Sequence, residues 1–341
     1  MKRTLIVLLS IMIIASIYAK GSMDAIDDYL NNVTVGNPIE YRNLRIFPLI
    51  AKTVLSHEDY MTMDEAMDRG WLKIKESGEG NVNFVEVKNN GKEMVFLLTG
   101  EMITGAKQDR MVQEDILLPA NSGWVRVPVY CVEHGRWSGS GISQEFKSSK
   151  LVVPNAVRQR AENTKSQSEV WDGVAESQEN LDVASPTGNV KDTYENKKVQ
   201  KEITDYSKHM SHVPELSRST IGVVVTTGNR IICFDLFANN HLMRKFWDKL
   251  IKSYAMDALS GSRSSLDKED IYEFLEIVES AHYISSGTPG SGNLFTIESH
   301  MGKGSALVYE DAVVHMDFFP REGIIKSNDS NLDLDFRRQR R

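Results

Sequence analysis

Short segments in which apolar and polar residues alternate recur along the chain, and they predict β-strands over much of its first half. The segments VNFVEV and EMVFLLTG flank the turn-forming residues Lys88 to Lys92, which predicts an antiparallel hairpin. Farther along, IGVVVTT and RIICFDLF are joined through Gly228 and Asn229. This second arrangement also predicts a hairpin, because a Gly-Asn pair accepts the backbone angles of a tight turn.

Helical spacing replaces the alternation in three places. Thr62 and Glu65 form a capping box at the start of a short helix, where each side chain satisfies a free backbone N–H group. Asp267 is placed to cap another helix. The longest pattern has apolar residues at steps of three and four, which predicts an amphipathic helix packed on the core. Its members are Leu242, Met243, Phe246, Trp247, Leu250, Ile251, Tyr254, Ala258 and Leu259.

The order of elements, strands followed by helices and then by strands, predicts an α+β fold with mostly antiparallel sheets packed with amphipathic helices. Three closing strands are expected around Phe295, around Leu307 and from Val313 to Phe319. The chain has 341 residues, of which 41% are hydrophobic, so it can bury a large core. We predict one elaborated domain over residues 38–320 and a flexible charged tail over residues 321–341.

A polar segment at about residues 155–219 interrupts the apolar patterns. It is rich in Gln, Glu, Asn, Ser and Lys and poor in aromatic residues, so we predict an insertion that is partly helical and largely mobile at the surface. Within it, the portion from Asp192 to His209 has the composition of a long, exposed helix. This helix is a candidate surface for an envelope protein partner.

The N-terminus has the outline of a secretory signal peptide. Lys2 and Arg3 precede an apolar run from Leu5 to Ile17, and Ala19 stands where cleavage is expected. We therefore predict a signal peptide over residues 1–19 and an extracytoplasmic location, either periplasmic or secreted. The alternative is an uncleaved signal anchor that tethers the protein to the membrane, although the apolar run is shorter than the ~20 residues that span a bilayer.

Charge and cysteine usage narrow the functional classes. The chain has 40 basic and 47 acidic residues, a net charge of −7, so no broad attraction to nucleic acid is expected. Its two cysteines, Cys131 and Cys233, both lie in strand-like apolar runs. This favours buried free thiols, while a single disulfide between them stays open for an exported chain.

Two polar segments are candidates for a binding site. In GAKQDR, a turn of small residues is followed by Lys107, Gln108 and Arg110, which could offer cationic donors to an anionic ligand. The structural alternative is that these residues lock the sheet through internal ion pairs with Glu101 or Asp109.

The second segment, CVEHGRW, combines Glu133, His134, Arg136 and Trp137 just beyond a predicted strand. Glu133 could act as a general base, Arg136 could orient polar groups, and Trp137 could stack on a flat ring. The alternative is that Glu133 pairs with Arg136 while Trp137 closes the rim of the core. The chain has no HExxH, GxSxG or CxxC motif, so we predict no metal site, and these residues do not identify a cofactor.

GAKQDR, CVEHGRW, FDLF, KLIKSYAMDAL and GSALVYEDAVVHMDFF together resemble the ARPP-1 domain family, and the resemblance covers about Tyr41 to Phe319. The family is named for association with ADP-ribosylglycohydrolase and rhodanese-phosphatase proteins, which implies a connection with ADP-ribose metabolism. The leading hypothesis is a ligand-binding module for a phosphorylated or nucleotide-like molecule. One alternative is a hydrolase that cleaves an ADP-ribose or phosphate-containing bond with Glu133 as base, and another is a cell-envelope interaction module.

Overall fold

The computed structural model describes residues 22–78, 83–136 and 144–321, so the predicted leader, Trp137 and the tail after residue 321 lie outside the described residues. Helix α1 covers residues 22–32. The other helices are α2 (Met63–Asp68), α3 (Asn155–Thr164), α4 (Gln167–Asn180), α5 (Val190–Glu195), α6 (Lys197–Met210), α7 (Asn240–Ser260) and α8 (Lys268–Glu279), with a short 3₁₀ helix at Val213–Glu215. Within the described ranges, no helix has the length and apolar character needed to cross a bilayer.

Three sheets make up the β structure, and among the described residues every strand pair is antiparallel except β4 with β7. The strands are β1 (Val33–Val35), β2 (Ile39–Tyr41), β3 (Leu44–Ala51), β4 (Met61–Thr62), β5 (Leu72–Glu76), β6 (Phe84–Asn89), β7 (Val95–Leu97), β8 (Glu101–Gly105), β9 (Arg110–Val112), β10 (Ile116–Leu118), β11 (Val125–Cys131), β12 (Phe146–Val152), β13 (Thr220–Thr227), β14 (Arg230–Phe237), β15 (His282–Ser286), β16 (Asn293–Ser299), β17 (Gly302–Tyr309) and β18 (Ala312–Pro320). The largest sheet runs β1-β3-β13-β14-β18-β17-β16-β15, with β2 beside β3. The other two run β12-β8-β9-β11-β6-β5 and β10-β7-β4. The predicted α+β class is confirmed.

Helices cover both faces of the nine-stranded sheet. Ile26 of α1 and Phe274 of α8 belong to the core on one face, and Phe246 of α7 belongs to the core on the other. A strand buried on both faces has no solvent side, so its sequence reads as a continuous apolar run. This explains β13, in which all eight residues are buried.

Most of the predicted local elements are present. Thr62 caps α2 in a capping box with Glu65, and Asp267 caps α8. Strands β13 and β14 form the predicted hairpin, with Gly228 at φ +59 in its turn, a conformation that favours glycine. The long apolar stripe lies on α7, and the closing strands are β16, β17 and β18.

The first predicted hairpin is wrong. Strand β6 pairs with β5 and β11, so both of its edges are occupied, and β7 pairs with β10 and β4 in a different sheet. The competing strand partners outweigh the favourable turn, and the Asn89 side chain organises the loop that results. Its Nδ2 donates to the carbonyls of Glu93 and Pro119 at 2.8 and 3.0 Å, and its Oδ1 accepts from the Gly91 N–H.

The polar segment at residues 155–219 was predicted to be largely mobile at the surface. Instead, it folds as helices α3 to α6 within the domain. The predicted helix from Asp192 to His209 is two helices, divided at Asn196, whose side chain caps α6. Tyr194, Val199 and Ile203 are buried in the same core as α7. Sparse apolar residues at helical spacing are thus sufficient to bury one face of this segment.

A buried network of charged residues ties the layers together. The Asp235 carboxylate on β14 accepts two hydrogen bonds from Arg158 of α3, at 2.7 and 3.2 Å, and one from Tyr254 of α7 at 2.6 Å. His315 on β18 bridges from Asp235, at 3.2 Å, to Asp115 between β9 and β10, at 2.6 Å. These four charged side chains are at most 2% exposed.

The network holds His315 in its charged form. Burial opposes a charge on the imidazole, but Asp115 and Asp235 outweigh it and raise the pKa of His315 to about 10. Burial likewise opposes a charge on Asp235, yet Arg158 and His315 hold the pKa of this carboxyl well below its usual range. Gly100 makes room for the network, because a Cβ there would lie 2.9 Å from Cγ of Arg158.

Replacing Asp235 with asparagine should lower the free energy of unfolding by about 3–5 kcal/mol, because it leaves the buried charge of Arg158 without its main partner. Urea denaturation at neutral pH measures this change. Asp248→Asn is the matched control, since Asp248 pairs with Lys252 on an exposed surface of α7. Equal stability of the two variants would contradict a central role for Asp235.

The stability of the protein should fall as the pH rises above neutrality. The pKa of His315 is raised from about 6.5 in the unfolded chain to about 10 in the fold. Its contribution is therefore complete below the lower value and is lost as the pH rises through the higher one. One such proton gives a slope of up to about 1.4 kcal/mol per pH unit. Urea unfolding at several pH values between these two limits should give a shallower slope for His315→Gln than for the wild type.

Candidate functional site

The GAKQDR segment forms the connection between β8 and β9, and most of its polar groups face inward. Gln108 Nε2 donates to the carbonyl of Glu133 at 2.9 Å. Arg110 is fully buried, with Nη1 donating to the carbonyl of Gln108 at 3.0 Å and Nη2 at 3.7 Å from Glu76. Lys107 is half-buried, and its backbone N–H donates to Glu76 at 3.2 Å.

The CVEHGRW segment adds Glu133 and Arg136 to the same network. Arg136 donates through Nε to Glu133 at 2.8 Å, through Nη1 to the carbonyl of Ala106 at 3.1 Å and through Nη2 to Asp109 at 2.9 Å. The other carboxylate oxygen of Glu133 accepts from the Thr187 hydroxyl at 2.9 Å. The guanidinium therefore joins the CVEHGRW segment to the GAKQDR segment, and Glu133 extends the network to Thr187.

This arrangement makes Glu133 a weak base. Burial alone would raise the pKa of its carboxyl, but hydrogen bonds from Arg136, from the Asp109 N–H and from Thr187 lower it below its usual value. The fold thus brings Gln108, Arg110, Glu133 and Arg136 together, and their polar groups bind one another. A role of these residues in holding a ligand stays a prediction.

A cleft between helices α3 and α4 and the nine-stranded sheet lies elsewhere. Its cavity volume is about 100 Å³, smaller than the ~300–1,000 Å³ usual for ligand sites. Arginines from three elements line it: Arg160 of α3, Arg230 at the start of β14 and Arg321 just after β18. A second cavity, of about 220 Å³, shares Arg160 and Arg321 with it. We call these two adjoining cavities the arginine cleft.

Arg160 lies at the junction of the two cavities and bridges to helix α4. Its guanidinium pairs with Glu176 in the first cavity, and Nη1 is 3.9 Å from Glu169 in the second. Gly173 leaves room for the Arg160 side chain, because a Cβ there would lie only 3.2 Å from Cδ of Arg160. A glycine in a helix interior costs stability, so this position is explained by the space that Arg160 needs.

The inner wall of the arginine cleft combines apolar and polar groups. Ile231, Ile232 and Met256 contribute apolar surface. Asp257, half-buried in the wall, accepts from the Ala156 N–H at 3.1 Å, and burial raises the pKa of its carboxyl to about 6. The cleft thus has both cationic and apolar linings.

Sequence reasoning missed this cleft. Positions 160, 230 and 321 are far apart along the chain, and none belongs to a recognisable motif. Arg160 also falls in the segment that composition marks as a mobile insertion. The available signal is the four-residue spacing of Val157 and Ala161 in α3 and of Val170 and Val174 in α4. It indicates that both helices pack on the core and can therefore form a wall.

Cys131 and Cys233 are free, buried thiols, as the sequence favours. Cys131 lies in β11 and Cys233 in β14, which belong to different sheets. Burial raises the pKa of both thiols, so neither is a ready nucleophile. Within residues 22–78, 83–136 and 144–321, no group of three or more His, Cys, Asp and Glu residues is arranged to hold a metal ion.

The Arg136 network should act as a lock on the loop before α5. Arg136→Lys replaces a three-way fork with one ammonium, so we expect a loss of about 1–3 kcal/mol in unfolding free energy. We also expect faster amide hydrogen exchange around Thr187 and Asn189. Arg126→Lys is the control, since Arg126 is exposed on β11 and stacks on Phe84. Unchanged exchange in Arg136→Lys would show that the fork is dispensable.

Comparison with known proteins places the fold in a family. No curated protein and no solved structure matches the chain at a significant level. The model of the ARPP-1 family, described as the ARG and Rhodanese-Phosphatase-superfamily-associated Protein domain, matches residues 32–319. The match runs from the end of α1 to β18 and includes all three sheets and the arginine cleft except Arg321. The chain therefore belongs to the ARPP-1 family.

Proposed function

We propose that the protein is a binding module for a small phosphorylated or nucleotide-like molecule, whose anionic group is held in the arginine cleft. The observation that carries this proposal is the convergence of Arg160, Arg230 and Arg321 on one cleft. Three arginines in one concavity are notable in a chain with a net charge of −7. A cluster of this kind raises the local concentration of anions.

The chemistry of the lining favours a phosphate rather than a simple halide. The guanidinium presents N–H donors in a planar fork that matches two oxygens of a phosphate. Ser177 and Asn180 of α4 add neutral hydrogen-bonding groups, and Ile231 and Met256 add apolar surface for a base or ring. This mixture of a few polar groups and apolar wall is typical of small-molecule sites.

We further propose that the module works outside the cytoplasm. This part rests on the leader predicted over residues 1–19 and on no observation of the fold. If the leader is retained instead of cleaved, the same cleft would be presented from a membrane anchor. Both arrangements expose the arginine cleft to ligands of the envelope or the medium.

The hydrolase alternative has less support. It requires Glu133 to accept a proton, but hydrogen bonds from Arg136 and Thr187 stabilise the ionised carboxylate and lower its pKa. The interaction alternative places a protein partner on α5 and α6. Exposed residues such as Lys198 and Lys201 leave a polar face there, while the apolar face is buried.

The proposal predicts ligand-dependent stabilisation that requires the cleft arginines. Thermal unfolding of residues 20 to 341 against inorganic phosphate, pyrophosphate, a sugar phosphate, AMP, ADP-ribose and NAD provides the screen. A ligand at 100 times its dissociation constant adds about 2.7 kcal/mol. Arg230→Ala should weaken binding by about 10-fold or more, since a charge-assisted hydrogen bond contributes about 1.5–3 kcal/mol.

Two controls make the screen decisive. Arg244→Ala removes an exposed arginine of α7 that pairs with Glu215 outside the arginine cleft, so it should bind as the wild type does. Lys107→Ala tests the loop suggested by the sequence. Loss of binding in Lys107→Ala with full binding in Arg230→Ala would move the site to the GAKQDR loop. No stabilisation by any ligand would overturn the proposal.

A further inference from the structure

We infer that Glu176 acts as a resident anion of the arginine cleft, which occupies Arg160 until the phosphate of a ligand replaces it. This inference rests on the proposed function and concerns the regulation of the same site. Glu176 belongs to α4, whereas Arg160 belongs to α3, so the ion pair closes the cleft across two helices. Binding would thus exchange one carboxylate for one phosphate at the same guanidinium.

The geometry makes Glu176 the competitor. Its carboxylate is hydrogen-bonded to Nη2 of Arg160, and both residues line the first cavity. Glu169 is on the other side of the guanidinium, at 3.9 Å from Nη1, and it lines the second cavity. The arginine fork is therefore flanked by a carboxylate in each cavity, and the closer one faces the first cavity.

The exposed fractions of the two side chains indicate that Glu176 can move away while Arg160 stays in place. The side chain of Glu176 is 52% exposed, so its carboxylate can move into water at little cost. The side chain of Arg160 is only 22% exposed and lies over Gly173 of α4. The cation is consequently fixed by packing, and its partner is held mainly by charge.

Charge balance gives the exchange a direction. The first cavity has Arg160, Arg230 and Arg321 against Glu176 and Asp257. A carboxylate bears one negative charge and offers two acceptor oxygens, whereas a phosphate bears nearly two charges and offers three. The attraction between a phosphate and the arginines is therefore stronger than the attraction that Glu176 gives up, provided that the carboxylate moves out of the way.

A neutral side chain at this position should raise the affinity for phosphorylated ligands. The probe is AMP, with inorganic phosphate as the minimal ligand, and isothermal titration at low salt measures the dissociation constants. Glu176→Gln should bind AMP about fivefold tighter or more than the wild type, because it removes the repulsion of a unit charge next to the phosphate. The difference should shrink as salt screens the charges.

Glu179→Gln is the matched control. It makes the same charge change on the same helix, but Glu179 is exposed and does not line the arginine cleft. Its AMP affinity should equal that of the wild type. Glu176→Ala, which removes the hydrogen bond as well as the charge, should reproduce the gain, and circular dichroism checks that both Glu176 variants keep the wild-type fold.

The outcomes separate this inference from the proposed function. Tighter binding by Glu176→Gln, including binding that the wild type lacks, supports the resident anion. Wild-type binding that is unchanged or weakened in Glu176→Gln overturns the resident anion and leaves the proposed function standing. Absence of AMP and phosphate binding in every variant, the wild type included, overturns both for these ligands.

Discussion

Compensation of buried charge is the constraint on which the rest of the fold depends. Arg158, Asp235, His315 and Asp115 come from α3, β14, β18 and the β9–β10 connection, and none of them reaches water. Each charge is tolerable only with its partners in place. A buried ion pair need not add stability relative to an apolar pair, but breaking it is costly. The network therefore specifies how the helices and the sheets sit against one another.

The same constraint positions the arginine cleft. Helix α3 contributes Arg158 to the buried network and Arg160 to the cleft, and side chains two positions apart point to nearly opposite sides of a helix. Anchoring Arg158 to Asp235 thus fixes the direction in which Arg160 projects. The cleft needs no network of its own on α3, because the interior of the domain already holds that helix in place.

The sequence predicts the elements that depend on neighbouring residues, but it misses the contacts between residues that are far apart in the chain. The capping box of Thr62, the turn at Gly228 and the stripe on α7 each follow from neighbouring residues, so their prediction succeeds. The β6–β7 hairpin fails because strand partners across the sheet outweigh a favourable turn. The sequence identifies the GAKQDR and CVEHGRW segments as polar clusters, but only the fold reveals that Arg136 binds Glu133 and Asp109. Residues 160, 230 and 321 converge through topology alone.

Asp115 and His315 are 200 positions apart in the chain, and this separation affects how the protein folds during its synthesis. Ribosomes add roughly 5–20 residues per second, so the first half of the chain waits on the order of ten seconds or more for β18. During that interval Asp115 has no imidazolium, and Asp235 has only part of its final set of partners. The nascent chain cannot complete its interior until β18 has been made, and until then its unfinished half depends on whatever shields it from other chains.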